Sequence, residues 1–264
     1  MKITQLRNAS AIVQLGEHHI LIDPMLAPKG ALPPLKLFGR RERNPVVELP
    51  ANAQDALGAV THCLITHCQK GHFDHLDRAG KSWLRQRNVP VICTPHDTAH
   101  LRQRGLNVQP LRDVAPGEAQ PFLGGTIRTV RCTHGTGVIG RLMEHGVGYF
   151  IEFPGEPSLY IAGDTILTDE VRSFVQKFQP AVALVPAGGA KFDVGHEVIM
   201  GVADVVEFAG LWRGTTVANH LEALTHCPAT RSALRAAADA AGVGHRLIIP
   251  ADGETVEFIE SPAA

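Results

Sequence analysis

Ile65-Thr66-His67-Cys68-Gln69-Lys70-Gly71-His72-Phe73-Asp74-His75-Leu76-Asp77 is the stretch that decides the reading of this chain. It follows an apolar run, Val60 to Ile65, with the pattern of a buried strand, so His67, His72, His75 and Asp74 gather where a strand gives way to a loop. Imidazole and carboxylate converging in that way make a metal site. Neighbours on a short loop face different ways, so His72 can serve one cation while Asp74 and His75 serve a second one nearby. The remaining ligands must come from elsewhere in the chain.

Upstream, Ile3 to Leu6, Ala11 to Leu15 and His19 to Ile22 are short apolar segments separated by turn residues, which predicts an antiparallel meander. It ends in Asp23-Pro24. The proline stops the strand and leaves the Asp23 carboxylate near the metal loop, where it either orients a ligand histidine or caps a turn. Residues 27–52 lack periodicity and are rich in proline and in basic residues (Lys29, Lys36, Arg40, Arg41, Arg43). A loop of this length is a lid, a binding loop or an oligomer contact. Its arginines either recognise an anionic substrate or form a solvated basic face.

Downstream, helices at Arg78 to Arg87 and Asp97 to Gly105 alternate with strands at Val89 to Cys93 and Val108 to Leu111, so helices cover the sheet. A strand over Thr126 to Thr133 delivers His134. Gly135, Gly137 and Gly140 match G-x-G-x-x-G, but Arg141 to Gly146 is too short for the helix a dinucleotide needs, and Gly148 to Phe153 is another strand. The glycines instead let the backbone curl round His134. A strand over Ser158 to Ala162 leads into Gly163-Asp164-Thr165, and the Asp164 carboxylate has two oxygens with which to bridge two ions. Helices follow at Asp169 to Phe178, His196 to Gly210 and Pro228 to Ala241, with strands at Ala181 to Val185, Thr215 to Ala218, Arg246 to Ile249 and Thr255 to Ile259. At His67, His134, Asp164 and His220 a strand ends on a ligand-type residue, which places these groups on one edge of a layered sheet.

Other polar residues are assigned by the same reasoning. Asp77 anchors the metal loop. Glu222 and His226, four apart after His220, could face the cleft, and His226 is a candidate catalytic residue. Lys191 and His196 are weaker candidates for substrate contact. His18, His19, His62, His96, His100, His145 and His245 have no patterned partner and read as surface or hydrogen-bonded core histidines.

At 264 residues, 44% hydrophobic and 19% charged, with no polar linker, the chain is expected to be a single domain over 1–264. A net charge of -1 leaves no electrostatic footprint for nucleic acid or an anionic membrane. The first residues lack the apolar core of a signal peptide and no run reaches the length of a membrane span, so the expected location is the cytoplasm. Five cysteines without a Cys-x-x-Cys pair fit reduced thiols in the core. Oligomeric state is not written in the sequence, and a homo-oligomer is compatible with it.

Thr66-His67, His72-Phe73-Asp74-His75, His134, Gly163-Asp164-Thr165 and His220, with the meander ending Leu21-Ile22-Asp23-Pro24 and the closing Pro250-Ala251-Asp252-Gly253-Glu254, together resemble the metallo-β-lactamase superfamily. The compact branch typified by ascorbate-6-phosphate lactonase-like hydrolases is the most similar. The resemblance implies an α/β protein, an αββα four-layer sandwich of two mixed sheets flanked by helices, with a dinuclear site at one edge. It implies that His67, His72 and His134 hold one ion, that Asp74, His75 and His220 hold the other, and that Asp164 bridges them. Two divalent ions are expected, zinc above all for histidine-rich ligation, with manganese or iron as alternatives. Such a pair brings the pKa of a shared water from about 15.7 toward neutrality, giving hydroxide to attack a lactone, another ester or a phosphodiester in a small-molecule substrate. Asp74 would then orient the nucleophile as well as bind metal.

One departure stands out. The family pattern is His-x-His-x-Asp-His, whereas here Cys68-Gln69-Lys70-Gly71 separates His67 from His72, and Lys70 holds the position two before His72. A protonated lysine repels a cation. Either the extra residues bulge out and His67 still reaches the metal, or the first site is impaired, or Cys68 ligates as thiolate. An impaired site would make the chain a mononuclear enzyme or a non-catalytic metal-binding or sensor module. Di-iron oxidoreduction lacks an appended flavin module, and an RNA nuclease would need a basic groove.

Overall fold

β1 (Lys2–Arg7), β2 (Ser10–Leu15) and β3 (His18–Ile22) form the antiparallel meander, with Val13 opposite Ile3 on one side and Ile20 on the other. Strand alternation sends Ile3, Val13 and Ile20 to one face and Leu6, Ile12 and Leu21 to the other, and both faces are buried. A meander apolar on both sides needs a layer against each. The computed structural model, which describes residues 1–36, 42–69, 71–137, 140, 143 and 146–259, supplies both. The sequence readings for Arg40, Arg41, Lys70, Arg141 and His145 fall outside the described residues.

β4 (His62–Leu64), β5 (Pro90–Cys93) and β6 (Asn107–Pro110) extend the meander in parallel, and β14 (Thr255–Glu257) pairs with β1. The first sheet therefore runs β14-β1-β2-β3-β4-β5-β6. The second holds β7 (Gln120–Phe122), β8 (Gly125–Arg131), β9 (Val147–Glu152), β10 (Leu159–Ile161), β11 (Val182–Pro186), β12 (Thr215–Asn219) and β13 (Leu247–Ile248) in the order β13-β12-β11-β10-β9-β8-β7. Its β7 to β10 pairs are antiparallel and its β10 to β13 pairs parallel, so both sheets are mixed.

Ile3, Val13 and Ile20 meet Ile127, Ile151 and Leu184 of the second sheet in one cluster between the sheets. The outer faces are covered by helices. Among the described residues these are α1 (Ala53–Gly58), α2 (Arg78–Gln86), α3 (Pro95–Arg102), α4 (Asp169–Phe178), α5 (Val202–Gly210) and α6 (Arg231–Ala240). Leu57, Leu84 and Leu101 pack α1 to α3 on the first sheet, and Val175, Phe208 and Leu234 pack α4 to α6 on the second. Each such burial is worth roughly 1.5–3 kcal/mol before entropy is counted. The result is the four-layer αββα sandwich. All five cysteines are buried and free of disulfides. No helix among the described residues is long and apolar enough to cross a membrane.

The structure corrects one helix. His196 to Gly201 is loop, and α5 begins only at Val202. The Val198 N–H donates to the Ala190 carbonyl and the Met200 N–H to the Thr165 carbonyl, so tertiary bonds take the groups a helix would have used. Glycine at position 201 then caps the helix. Helix α1 and strand β7 have no counterpart in the sequence reading, being short and weakly patterned. Helix α3 starts two residues before the expected Asp97, with Pro95 in its first turn, where a missing N–H costs nothing.

Candidate metal centre

The carboxyl ends of β4, β8, β10 and β12 point to one edge of the sandwich, and each gives way to a loop carrying His67, His134, Asp164 and His220 respectively. His72, Asp74 and His75 arrive on the turn before α2. This turn is pinned by Asp77, whose Oδ1 accepts from the Gly80 N–H and whose Oδ2 accepts from the Ala27 N–H, both at 2.6 Å. Asp77 is thus the expected anchor. All seven predicted ligands are buried. The ligand atoms of His67, His72 and His134 lie within 4.8 Å of one another, and so do those of Asp74, His75, Asp164 and His220. Asp164 Oδ2 stands 3.0 Å from His75 Nε2, 3.6 Å from His134 Nε2, 3.7 Å from His220 Nε2 and 4.0 Å from His67 Nε2, a position between the groups.

His67 joins the cluster despite the four residues that follow it. Gly71 adopts φ +90°, and the His72 N–H donates back to the Gln69 carbonyl, which brings Gln69 and His72 together. Cys68 is in neither group of ligand atoms. Its thiol faces Asp97 Oδ1 at 3.5 Å, and Gln69 Nε2 donates to the same oxygen at 2.9 Å. Cys68 and Gln69 are therefore held from α3, with the Cys68 thiol turned to Asp97 and not to the ligand atoms.

Each imidazole is oriented through Nδ1, leaving Nε2 for the site. His75 Nδ1 donates to Asp23 Oδ2 at 2.9 Å. His67 Nδ1 donates to the Thr66 hydroxyl at 3.0 Å, which itself donates to Asp23 Oδ2 at 2.5 Å. His72 and His134 donate to the carbonyls of Gln69 and Val198, each at 2.8 Å, and His220 Nδ1 meets the Cys227 sulfur at 3.5 Å. Asp23 is committed to these bonds and supports ligands from behind. Asp23 and His220 both sit at positive φ, +42° and +57°, a strained backbone that the surrounding bonds hold in place.

The electrostatics match a cation. Burial alone would raise the Asp74 and Asp164 carboxyls, but the imidazoles around them, His75 and His220 foremost, hold both far below the usual carboxylate range. Burial likewise works against charge on His75 and His220, yet Asp164, Asp23 and Asp74 keep His75 well above the usual histidine range, and Asp164, Cys227 and Asp74 do the same for His220. Burial depresses His67 and His134. A cation can take the place of the protons on His75 and His220. The Nε2 atoms of His67 and His220 are buried without a hydrogen bond, which a metal would satisfy. Five imidazoles and two carboxylates as donors suit zinc, and iron or manganese next.

A cavity of about 290 Å³ opens onto the cluster. His72, Asp74, His134 and Asp164 form its floor. Leu35, Phe73, Met143, Phe192, Val198 and His226 are among its walls, and no lysine or arginine lines it among the described residues. His226 is stacked on Phe192, with ring planes 20° apart, and its buried Nδ1 makes no hydrogen bond. Burial pushes its pKa down to about 4, so it is neutral near pH 7. Glu222 does not face the cleft. It sits at φ +57° and accepts from the Arg231 guanidinium, a pair that ties the loop after His220 to α6. Lys191 and His196 are exposed and do not line the cavity. Arg43 donates to the carbonyls of Gly30 and Ala31 within its own loop. Gly135 has φ +82°, and a Cβ there would meet Val198 Cγ1 at 2.8 Å, so the glycine does let the chain curl against the strut of His134.

Two residues escaped the sequence reading. Asn8 donates from Nδ2 to the Asp74 carbonyl at 3.1 Å and accepts at its own carbonyl from the His220 N–H at 2.9 Å, joining loops from both sheets. Its signal was Asn8-Ala9-Ser10, read as turn material alone. Cys227 was counted only as a core thiol.

Residues 18–241 match the model of the Beta-lactamase superfamily domain. The UPF0173 protein YddR of Bacillus subtilis is 30% identical over 98% of this chain and 100% of its own length. Among solved structures, an isothiocyanate hydrolase from Delia radicum gut bacteria is 32% identical with TM-score 0.87, covering 98% of this chain and 100% of that one. A possible metal-dependent hydrolase from Veillonella parvula is 27% identical with TM-score 0.88, covering 98% and 99%.

Proposed function

The chain belongs to the metallo-β-lactamase superfamily, and from that premise we propose that it is a metal-dependent hydrolase of small, neutral electrophiles that carry an apolar group, such as esters and lactones. The observation that carries this reading is the cavity over the ligand cluster, whose walls include the apolar side chains of Leu35, Phe73, Met143, Phe192 and Val198. The isothiocyanate hydrolase supports the same choice, since an isothiocyanate is a neutral carbon electrophile with an organic tail.

His67, His72 and His134 would hold one divalent ion, and Asp74, His75 and His220 the other, with Asp164 between them. Ions held there supply an activated water and polarise the bond under attack. Asp74 is ionised and lines the cavity, so it would accept a hydrogen bond from the attacking water and orient it toward the electrophilic carbon. His226 is neutral and keeps one N–H to offer the developing negative charge or the leaving group. The walls exclude bulk water, which strengthens both interactions.

The test is a substrate panel on the zinc-loaded chain: para-nitrophenyl butyrate, a medium-ring lactone, benzyl isothiocyanate and bis-nitrophenyl phosphate. Neutral substrates with an apolar tail should lead the phosphodiester in kcat/KM by about a hundredfold. A phosphodiester turned over as fast as the best neutral compound would overturn the proposal.

A further inference from the structure

The long loop between β3 and α1 is held by two buried side chains. Arg7, fully buried, donates to the carbonyls of Met25 and Ala27 at one root of the loop and Val47 at the other, at 2.8, 2.8 and 3.0 Å. Asn44, also fully buried, works further out. Its N–H and carbonyl pair with Leu32 in an isolated antiparallel bridge, and its Nδ2 donates to the Pro33 carbonyl at 3.1 Å. Its Oδ1 accepts from the Thr225 N–H at 2.9 Å. The Val46 N–H donates to the Ala223 carbonyl beside it. Leu32 and Val47 pack against Ala190, Val198, Ala223 and Leu224 below.

These contacts tie two stretches of the cavity lining, distant in sequence, to one side chain. Leu35 lines it two residues after Pro33, and His226 lines it one residue after Thr225. We propose that Asn44 is a positioning residue that sets the width of the apolar cavity, clamping the Leu35 wall to the Thr225–His226 backbone so that the substrate's apolar tail is gripped between them. This rests on the neutral-substrate reading above. It goes beyond that reading in assigning tail selectivity to a residue that touches neither substrate nor metal. Both polar ends of the carboxamide are used, one on each stretch, and among side chains so short only asparagine carries donor and acceptor on separate atoms.

Binding, not turnover, tests this. Acetohydroxamate and phenylbutyrohydroxamate share a chelating head and differ in the tail. Their affinities for the zinc-loaded full chain are measured by calorimetry in the native protein, Asn44→Ala, Asn44→Asp and Leu35→Ala, with zinc content determined for each. In the native chain the long tail should improve affinity at least about tenfold. Asn44→Ala should reduce that gain to within about threefold while zinc content and acetohydroxamate affinity hold, and Asn44→Asp, which keeps only the acceptor for Thr225, should fall between. Leu35→Ala, which leaves the clamp intact, should lose part of the gain and keeps the test decisive if Asn44→Ala fails to fold. No tail preference in the native chain, an undiminished preference in Asn44→Ala or Leu35→Ala, or zinc and acetohydroxamate affinity falling together with it in Asn44→Ala, would overturn the proposal. A chain that cleaves none of the panel substrates yet shows this pattern would sink the hydrolase reading and leave the clamp standing.

Discussion

Replacing Asp23 by asparagine takes the charge from the carboxylate that serves both groups of ligands. Its Oδ1 accepts from the Thr66 N–H at 2.8 Å, and its Oδ2 accepts from the Thr66 hydroxyl at 2.5 Å and from His75 Nδ1 at 2.9 Å. A carboxamide keeps one acceptor and turns N–H donors toward groups that must themselves donate. Hydrogen bonds to a charged group are worth about 1.5–3 kcal/mol, and losing the partner of a ligand histidine costs about 10- to 100-fold in metal affinity. Because Thr66 passes the same anchor on to His67, both ions should weaken by about that factor. Thr66→Val breaks only the branch to His67, so one ion should weaken while the other keeps its affinity within about threefold. Competition against a chromogenic zinc chelator, fitted to two sites, reads both constants, and circular dichroism checks that each variant is folded. Asp23→Asn with both affinities within about threefold of native, or Thr66→Val weakening both ions alike, would refute the reasoning.

His226→Gln should lower kcat by about 10²- to 10⁴-fold with metal content unchanged, as single-turnover kinetics beside elemental analysis would show; an unchanged kcat removes His226 from the chemistry. The same side chain makes metal-free protein acid-sensitive. Its pKa is about 4 when folded and near 6.5 when not, so the unfolded chain binds the extra proton and stability is lost as pH falls from 6.5 to 4, by about 3 kcal/mol. Urea titrations of chelated protein at the two pH values should show a stability loss larger by that amount in the native chain than in His226→Gln. Gly135→Ala, at φ +82° and with its Cβ on Val198, should destabilise by about 1–3 kcal/mol and weaken the ion that His134 helps to hold. Thermal unfolding with and without zinc separates the two effects.

Much of the fold was legible because strand and helix periods are local. Alternation in Ile3 to Ile22 predicted the meander, and apolar spacing over Asp169 to Phe178 predicted α4 to the residue. His196 to Gly201 misled because its apolar residues, Val198 and Met200, are buried by pairing with Ala190 and Thr165, which no local pattern reveals. The placing of ligand-type residues at strand ends was legible for the same reason: parallel strands feed one edge. What supports them was not. Asn8 lies 66 residues from Asp74, and Asn44 lies 181 residues from Thr225, so each bond exists only once the sheets have packed. Asp23 falls between these cases, since its place at a strand end was visible and its three bonds were not.

The central claim is that His67 reaches the metal despite the inserted residues and completes a site for two ions. Metal content of protein purified without chelator, determined by elemental analysis on the native chain and on His67→Ala in parallel, tests it most directly. The account predicts about two equivalents in the native chain, falling to about one in the variant. One equivalent in both would contradict it, and would mean that His67, though placed in the cluster, holds no ion.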